Sequence, residues 1–283
     1  MSTPAAITST DVSLGDYSLR VNTTGDPSME PILFLHGSGP GVSGLSNWER
    51  LIADLGDRYY CIAPDVLGFA DSDHPNPPPD GQIPFTELRV ATIWRLLDKL
   101  GIDRVHLVGN SYGGMMSLKM TVENPERVGK VFLMGSGGMP GLQPTDGLKK
   151  LVGFYDDPTE TNMAKLLSLF VYAPSSFGDK LNEIAATRLP QATREDVRRS
   201  HLAMFDNGPK LAYQPEELAR IDKDVLVVVG RDDRIVPVEA SHYLAEHIPG
   251  ARLVVIGQCG HWSQIEYPER FENMVSSLVQ GRL

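Results

Sequence analysis

A single serine lies between glycines at the end of an apolar run, in the stretch VHLVGNSYGG of residues 105–114. The pattern G-x-S-x-G, from Gly109 to Gly113, is typical of a nucleophilic serine on a sharp turn between a strand and a helix. Side chains at the two glycine positions would block such a turn, and the following helix directs its free N–H groups toward the serine oxygen. Ordinary tight turns can carry the same five residues, so the interpretation depends on a base and an acid elsewhere.

A serine nucleophile needs a histidine base, and the base needs a carboxylate that orients it. In chains with this strand–serine–helix turn, the order along the sequence is serine, acid, histidine. His261 fits the base, because it follows the apolar run RLVVIG in a short polar turn. The stretch GRDDRIVP offers two acids, Asp232 and Asp233. The spacing from Gly230 and Pro237 favours Asp233, and the other aspartate would then be a turn or salt-bridge residue.

Acyl transfer by serine also needs two N–H donors for the oxyanion of the tetrahedral intermediate. One is predicted to be the backbone N–H of Tyr112, directly after the nucleophile. The other is predicted to be the N–H of Ser38, in the glycine-rich loop GSGPGVSG that follows the apolar run ILFLH. In that loop Gly37 and Gly39 would let the backbone approach a substrate, and His36 is expected to position the loop.

Composition excludes several classes of protein. The 283 residues include 26 Lys and Arg against 36 Asp and Glu, a net charge of −10, and no long basic run is present, so we expect no nucleic-acid partner. No apolar stretch has the length of a membrane span or of a signal peptide, which predicts a cytoplasmic protein. Two cysteines, Cys61 and Cys259, form neither a disulfide framework nor a metal motif, so no metal is expected.

The pattern of apolar runs predicts a mostly parallel sheet covered by helices on both faces. The candidate helices are 85–101, ending at Gly101, and 114–128. An antiparallel hairpin is expected around Gly15 and Asp16. The candidate strands are short apolar runs bounded by turn residues, at 31–37, 59–65, 104–110, 130–136, 224–233 and 251–261.

Residues 139–212 contain no convincing strand and are predicted to form several helices. An insertion of this kind between two strands is expected to be a lid over the carboxyl edge of the sheet, where open α/β sheets bind ligands. The sequence thus predicts a core of residues 1–138 and 213–283 and a helical lid of residues 139–212.

Six stretches together resemble the meta-cleavage product hydrolases, which cleave carbon–carbon bonds in ring-fission products of aromatic degradation. They are HGSGPGVSGLSNW, APDVLGFADSD, LVGNSYGG, VFLMGSGG, GRDDRIVP and CGHWSQIEYPERF. The resemblance covers about residues 30–138 and 215–275 and little of the lid. It implies an α/β-hydrolase fold with a mostly parallel eight-stranded sheet, a helical lid, no cofactor and a homo-oligomer of two or more chains.

The resemblance also assigns residues. The family's triad falls on Ser111, Asp233 and His261. A lid arginine that binds the oxo-acid end of the substrate corresponds best to Arg188, whose guanidinium fork suits a carboxylate. Three further lid arginines remain as alternatives, Arg194, Arg198 and Arg199. The polar contacts to the dienoate correspond to Asn47, Asn110 and the indole N–H of Trp262.

The chain departs from the family pattern at a few positions that bear on pocket shape. Ala70, in Gly68-Phe69-Ala70, stands where a second glycine is usual, and Ile265 stands where an aromatic residue is common. Met115 and Met116 replace smaller residues after the nucleophile. The triad is unaffected.

These features predict a hydrolase that cleaves a 2-hydroxy-6-oxohexa-2,4-dienoate by ketonisation followed by attack of Ser111 on the C6 carbonyl. A carboxylesterase or lactonase with the same triad is the alternative, and a receptor that has kept the triad is a third possibility. The sequence leaves the C6 substituent, whether alkyl, phenyl or larger, undetermined.

Overall fold

An eight-stranded sheet organises the residues that the computed structural model describes, 5–206 and 208–283. Its strand order is β1-β2-β4-β3-β5-β6-β7-β8, with the first two pairings antiparallel and the others parallel. The strands are β1 (Thr8–Ser13), β2 (Ser18–Thr24), β3 (Pro31–Leu35), β4 (Tyr60–Pro64), β5 (Val105–Asn110), β6 (Val128–Met134), β7 (Val225–Gly230) and β8 (Arg252–Ile256). The prediction of a mostly parallel eight-stranded sheet is confirmed.

Two apolar cores lie on opposite faces of this sheet. Successive residues of β3 alternate between them, Leu33 and Leu35 entering one core and Ile32 and Phe34 the other. Helices cover both faces, namely α1 (Gly44–Leu55), α2 (Gln82–Lys99), α3 (Tyr112–Glu123), α9 (Val238–His247), α10 (Ser263–Glu266) and α11 (Pro268–Val279). Every residue of β5 and β7 is buried as a result, which explains why these strands read as continuous apolar runs.

Most element predictions are confirmed, with three corrections, the first of which is that the helix expected over 114–128 ends at Glu123 and Val128 already belongs to β6. The hairpin pairs β1 with β2, and Gly101 follows α2 in the left-handed conformation at φ 71°. Helix α2 begins at Gln82, three residues before the expected start at residue 85, and holds Pro84 in its first turn. Strand β8 is partly exposed rather than fully buried, because it lies at the edge of the sheet.

Five α-helices lie in the described part of the chain between β6 and β7: α4 (Asp146–Val152), α5 (Glu160–Leu167), α6 (Lys180–Ala192), α7 (Glu195–Phe205) and α8 (Pro215–Leu218). Apolar side chains of α4, α5 and α6 form a third core that includes Ile235, Val236 and Trp262, whereas Met204 of α7 and Leu218 of α8 join one of the two cores on the sheet. Ile235, Val236 and Trp262 follow β7 and β8, so α4, α5 and α6 pack over the carboxyl ends of the parallel strands. We call residues 139–212 the lid, with its limits as the sequence predicts them.

Two other features of the described residues bear on function. No helix among them is long and apolar enough to cross a membrane. No group of three His, Cys, Asp or Glu side chains in the same part of the chain could hold a metal ion, and Cys61 and Cys259 are buried free thiols.

The loop after β4 contains a residue in a conformation that favours glycine. Ala70 has φ 45° and Gly68 has φ 81°. Ala70 is the position where the resemblance leads us to expect glycine, and the left-handed backbone gives a physical reason for that expectation.

We expect Ala70→Gly to raise the free energy of unfolding by about 1 kcal/mol, because the substitution removes the strain on Cβ. Urea unfolding followed by circular dichroism measures the change. The matched control is Ala186→Gly on the exposed face of α6, which should lower the free energy by about 1 kcal/mol. Equal destabilisation by both substitutions would contradict the assignment of strain to Ala70.

Candidate active site

Ser111 occupies a strained turn between β5 and α3. Its backbone has φ 55° and ψ −113°, a combination that side-chain-bearing residues rarely adopt. A Cβ on Gly113 would lie 2.1 Å from the carbonyl oxygen of Leu35, and one on Gly109 would lie 2.5 Å from that of Gly113. Both glycines of the pattern are therefore required for β3, β5 and α3 to come together behind Ser111.

Asp233, and not Asp232, holds the histidine. His261 Nδ1 lies 2.7 Å from Asp233 Oδ2, and both side chains are 1% exposed. The other oxygen, Asp233 Oδ1, accepts the amide N–H groups of Ile235 and Val236. Asp232 instead accepts the N–H of Gln258 and the guanidinium of Arg231, in keeping with the turn or salt-bridge role expected for the spare aspartate.

Ser111 and His261 line the same small cavity. Its volume is about 10 Å³, room for roughly one water molecule. Within the described residues His261 bonds to Asp233 but not to Ser111; catalytic hydrogen bonds of this kind commonly tighten only when substrate is present. The cavity is lined by Gly37, Ser38, Gly39, Val42, Asn47, Asn110, Ser111, Leu151, Phe170, Arg188, His261 and Trp262. All the predicted substrate-binding residues are among them.

The two predicted oxyanion donors flank the nucleophile. Tyr112 is the first residue of α3, where a helix leaves its N–H groups without partners in the helix. Ser38 lies in the loop after β3 and lines the cavity with Ser111. Neither amide donates a hydrogen bond to another described residue, so both are free for an oxyanion.

His36 fixes the loop that carries Ser38. Its Nδ1 donates to the carbonyl of Gly37 at 2.7 Å, and its Nε2 accepts the N–H of Val66 at 3.0 Å. Burial lowers the pKa of His36 to about 4, so the ring stays neutral and keeps both bonds near neutral pH. This agrees with the positioning role expected from the sequence.

Arg188 from α6 brings an unpaired positive charge to the cavity. Its side chain is buried, and among the described residues it forms no ion pair. Its Nη2 donates to Ser46 Oγ at 3.2 Å, and its guanidinium lies 5.6 Å from the ring centre of Trp262. Burial lowers the pKa of Arg188 to about 10, which leaves it cationic at neutral pH. A buried charge without a partner favours an anionic ligand.

The other lid arginines have different surroundings. Arg194 pairs with Asp71 and Asp196. Arg198 lies over the ring of Tyr155, and none of the three alternatives lines the cavity. Of the four arginines considered from the sequence, Arg188 is the one that faces Ser111.

One side-chain atom on each of two buried polar residues, Asn47 and Gln264, lacks a partner within the described chain, although Gln264 Nε2 donates to the Asn47 carbonyl at 3.5 Å. Asn47 Nδ2 and Gln264 Oε1 form no hydrogen bond, and both residues line an outer groove of about 820 Å³ that adjoins the cavity. Gln264 was missed from the sequence, although it lies three residues after His261 in the motif CGHWSQ. Asn110 differs, because its Nδ2 donates to the carbonyl of Met134 at 3.3 Å and so also joins β5 to β6.

The site therefore combines a strained serine, a histidine held by a buried aspartate, two free amides and an unpaired arginine. The serine, the histidine with its aspartate and the two amides suit attack on a carbonyl carbon and stabilisation of the resulting oxyanion. The arginine and the amide side chains suit a substrate that carries a carboxylate with neighbouring oxygen atoms.

Comparison with known proteins gives the same picture over nearly the whole chain. A family model described as alpha/beta hydrolase fold matches residues 30–268. A 2-hydroxy-6-oxononadienedioate/2-hydroxy-6-oxononatrienedioate hydrolase of Paraburkholderia phymatum is 39% identical over 277 residues, covering 92% of this chain and 91% of the relative. A 2-hydroxy-6-oxo-2,4-heptadienoate hydrolase of Pseudomonas putida is 36% identical over 255 residues and 88% of each chain.

A solved structure extends the likeness to the lid. The 2-hydroxy-6-oxo-6-phenylhexa-2,4-dienoate hydrolase of a Rhodococcus strain superposes with a TM-score of 0.93 at 38% sequence identity. The match covers 98% of this chain and 99% of that one.

Proposed function

The chain belongs to the meta-cleavage product hydrolases of the α/β-hydrolase fold, and we propose that it hydrolyses the C5–C6 bond of a 2-hydroxy-6-oxohexa-2,4-dienoate. The products are a 2-hydroxypentadienoate and a carboxylic acid. The observation that carries this proposal is the unpaired, buried Arg188 in the same cavity as Ser111 and His261. An enzyme for simple esters needs the serine and histidine but has no use for that charge.

The proposed chemistry begins with ketonisation of the bound dienol, in which the 2-hydroxyl loses a proton and C5 gains one, so that C5 can later leave as part of a conjugated enolate. Ser111 Oγ then attacks the C6 carbonyl carbon while His261 takes the serine proton and Asp233 stabilises the imidazolium. The oxyanion is held by the N–H groups of Ser38 and Tyr112. Cleavage of C5–C6 sends its electron pair into the conjugated enolate, which takes the proton from His261, and the neutral His261 then acts as base while water hydrolyses the acyl-serine.

The proposed binding contacts follow from charge and hydrogen-bonding capacity. Arg188 takes the carboxylate, which gives its charge a partner. Asn47 Nδ2, unpaired at present, donates to the oxygen at C2 together with the Trp262 N–H. Asn110 keeps the bond from its Nδ2 to β6. Its Oδ1, which lies beside Gly37, is the atom that it offers to the substrate.

The direct test of the function is the visible absorbance of a yellow dienolate. Wild-type protein should bleach it with formation of both products. Ser111→Ala should bind the dienolate without cleaving it, because the nucleophile is lost while the contacts to the carboxylate end remain. Absence of cleavage over a panel of dienoates, with rapid turnover of p-nitrophenyl esters, would establish the esterase alternative. Recovery of intact ligand with no turnover of either would indicate a receptor.

Arg188 is expected to contribute mainly to substrate binding. Arg188→Gln should lower kcat/KM for a dienoate by about 100-fold or more, because a charge-assisted pair is lost. The same substitution should change kcat/KM for p-nitrophenyl acetate, which has no carboxylate, by less than about threefold. Arg194→Gln, which breaks the surface ion pairs with Asp71 and Asp196 instead, is the matched control and should change neither rate appreciably. Equal losses on both substrates would contradict the assignment.

The cavity also indicates the class of C6 substituent. Apolar side chains from Val42, Leu151 and Phe170 line it, and Arg188 is the one cation among its lining residues. If Arg188 takes the carboxylate at C1, none of these residues neutralises a second carboxylate beyond C6. We therefore propose an alkyl or aryl substituent, unlike that of the nonadienedioate hydrolases among the relatives.

A substrate panel tests this refinement. The dienoates with methyl and phenyl at C6 should have kcat/KM values at least about tenfold above that of the dienoate with carboxyethyl at C6, since burial of an unpaired carboxylate is costly. Initial rates of bleaching at low substrate concentration give the ratio. Preference for the dicarboxylate would overturn the refinement and leave the C–C hydrolase function intact. Assembly into a homo-oligomer and a cytoplasmic location stay predictions.

A further inference from the structure

A second buried arginine, outside the predicted site, lies behind the two oxyanion donors. Arg89 on α2 is 0% exposed, and no carboxylate pairs with it among the described residues. Its guanidinium lies 3.6 Å from the ring centre of Phe85, 4.6 Å from that of Phe69 and 5.3 Å from that of Tyr112. Its Nη2 has no hydrogen-bond partner. Burial of an ion in this way is costly and calls for a function.

The polar contacts of Arg89 lead to the residue after the nucleophile. Its Nε donates to the carbonyl of Leu67 at 2.9 Å, and its Nη1 donates to the Tyr112 hydroxyl at 3.1 Å. Thr86 Oγ1 donates to the Gln82 carbonyl at 2.6 Å, so its bond of 2.7 Å with Tyr112 must use the tyrosine proton. The Tyr112 side chain is thus fixed as acceptor from Arg89 and donor to Thr86.

The same cluster reaches the other oxyanion loop. Phe69, which stacks with Arg89, packs edge-on against His36 with ring centres 4.9 Å apart. His36 holds the Gly37 carbonyl, one residue before Ser38. Arg89 Nη1 also contacts Met204 Sδ of α7. One buried cation therefore contacts the side chain of one donor residue directly, supports the loop of the other through Phe69, and touches the lid.

We propose that Arg89 is a positioning residue for the oxyanion site, a cationic clamp that holds the Tyr112 and Ser38 amides in place for the tetrahedral intermediate. The proposal rests on the proposed serine chemistry, though not on the identity of the substrate. Preorganised donors lower the energy of the transition state more than that of the bound substrate. Loss of the clamp should therefore appear in kcat rather than in substrate affinity.

The test compares R89M and R89K with the wild type. R89M should lower kcat about 10- to 100-fold for dienoate and for p-nitrophenyl acetate, with KM within about threefold. A boronic acid that forms a tetrahedral adduct with Ser111 should bind R89M more weakly by a similar factor. Dienolate affinity, measured in the Ser111→Ala background, should be unchanged by R89M. R89K keeps the positive charge without the planar guanidinium fork, so its kcat should lie between those of R89M and the wild type.

Two controls separate the clamp from general destabilisation. Arg127→Met removes another guanidinium stacked on an aromatic ring, 4.7 Å from the centre of Trp94 and away from the cavity, and should leave kcat unchanged. Thr92→Val on the same helix removes a hydroxyl that bonds the Leu88 carbonyl and not Tyr112, and should also leave kcat unchanged. Equal loss of kcat and of dienolate affinity in R89M, unchanged kcat, or R89K no better than R89M would each overturn the proposal.

These measurements also distinguish a failure of the proposed substrate from a failure of the proposed role of Arg89. If the wild type hydrolyses the ester but no dienoate, the proposed substrate is wrong, and the ester and boronic acid measurements still test Arg89. If R89M does not fold, as judged by circular dichroism, the kcat of R89K relative to that of the wild type tests the role of Arg89.

Discussion

The whole site depends on one constraint, the backbone conformation of Ser111. A serine at φ 55° can exist in this turn because Gly109 and Gly113 allow β3, β5 and α3 to approach within the space that a methyl group would fill. The close approach places the N-terminus of α3 beside the serine and the loop after β3 opposite it. The nucleophile and both oxyanion donors are therefore consequences of the same tight packing, and the strain is borne by the surrounding sheet.

The sequence predicts those functional residues that come directly after a strand. Ser111, Asp233 and His261 each come directly after an apolar run, and parallel strands bring such positions to one edge. Spacing could only favour Asp233 over Asp232; the hydrogen bond to His261 distinguishes them. Arg188 needed the family resemblance, because the lid has no strand to give its residues a common edge.

Arg89 and Gln264 could not be found from the sequence for a different reason. Arg89 lies on a helix with several charged residues, where an arginine is ordinarily exposed, and its burial results from Phe69 on a distant loop and Met204 in the lid. Nothing in the sequence distinguishes Gln264 from other glutamines. Only the folded structure shows that its Oε1 is buried near Asn47 without a hydrogen-bond partner. In both cases the signal is a missing partner for a buried polar group, which exists only once the tertiary structure is formed.

The cavity at Ser111 has room for about one water molecule, far less than a dienoate occupies. A bound dienoate therefore requires a conformation in which the lining side chains, among them Leu151, Phe170 and Arg188 of the lid, lie farther apart, so the measured affinity is the intrinsic affinity multiplied by the fraction of molecules in that conformation. Side chains of the lid that never touch the dienoate can therefore change KM by shifting that population. Relatives that share the same contacts to substrate could, for this reason, still differ in the concentrations at which they work.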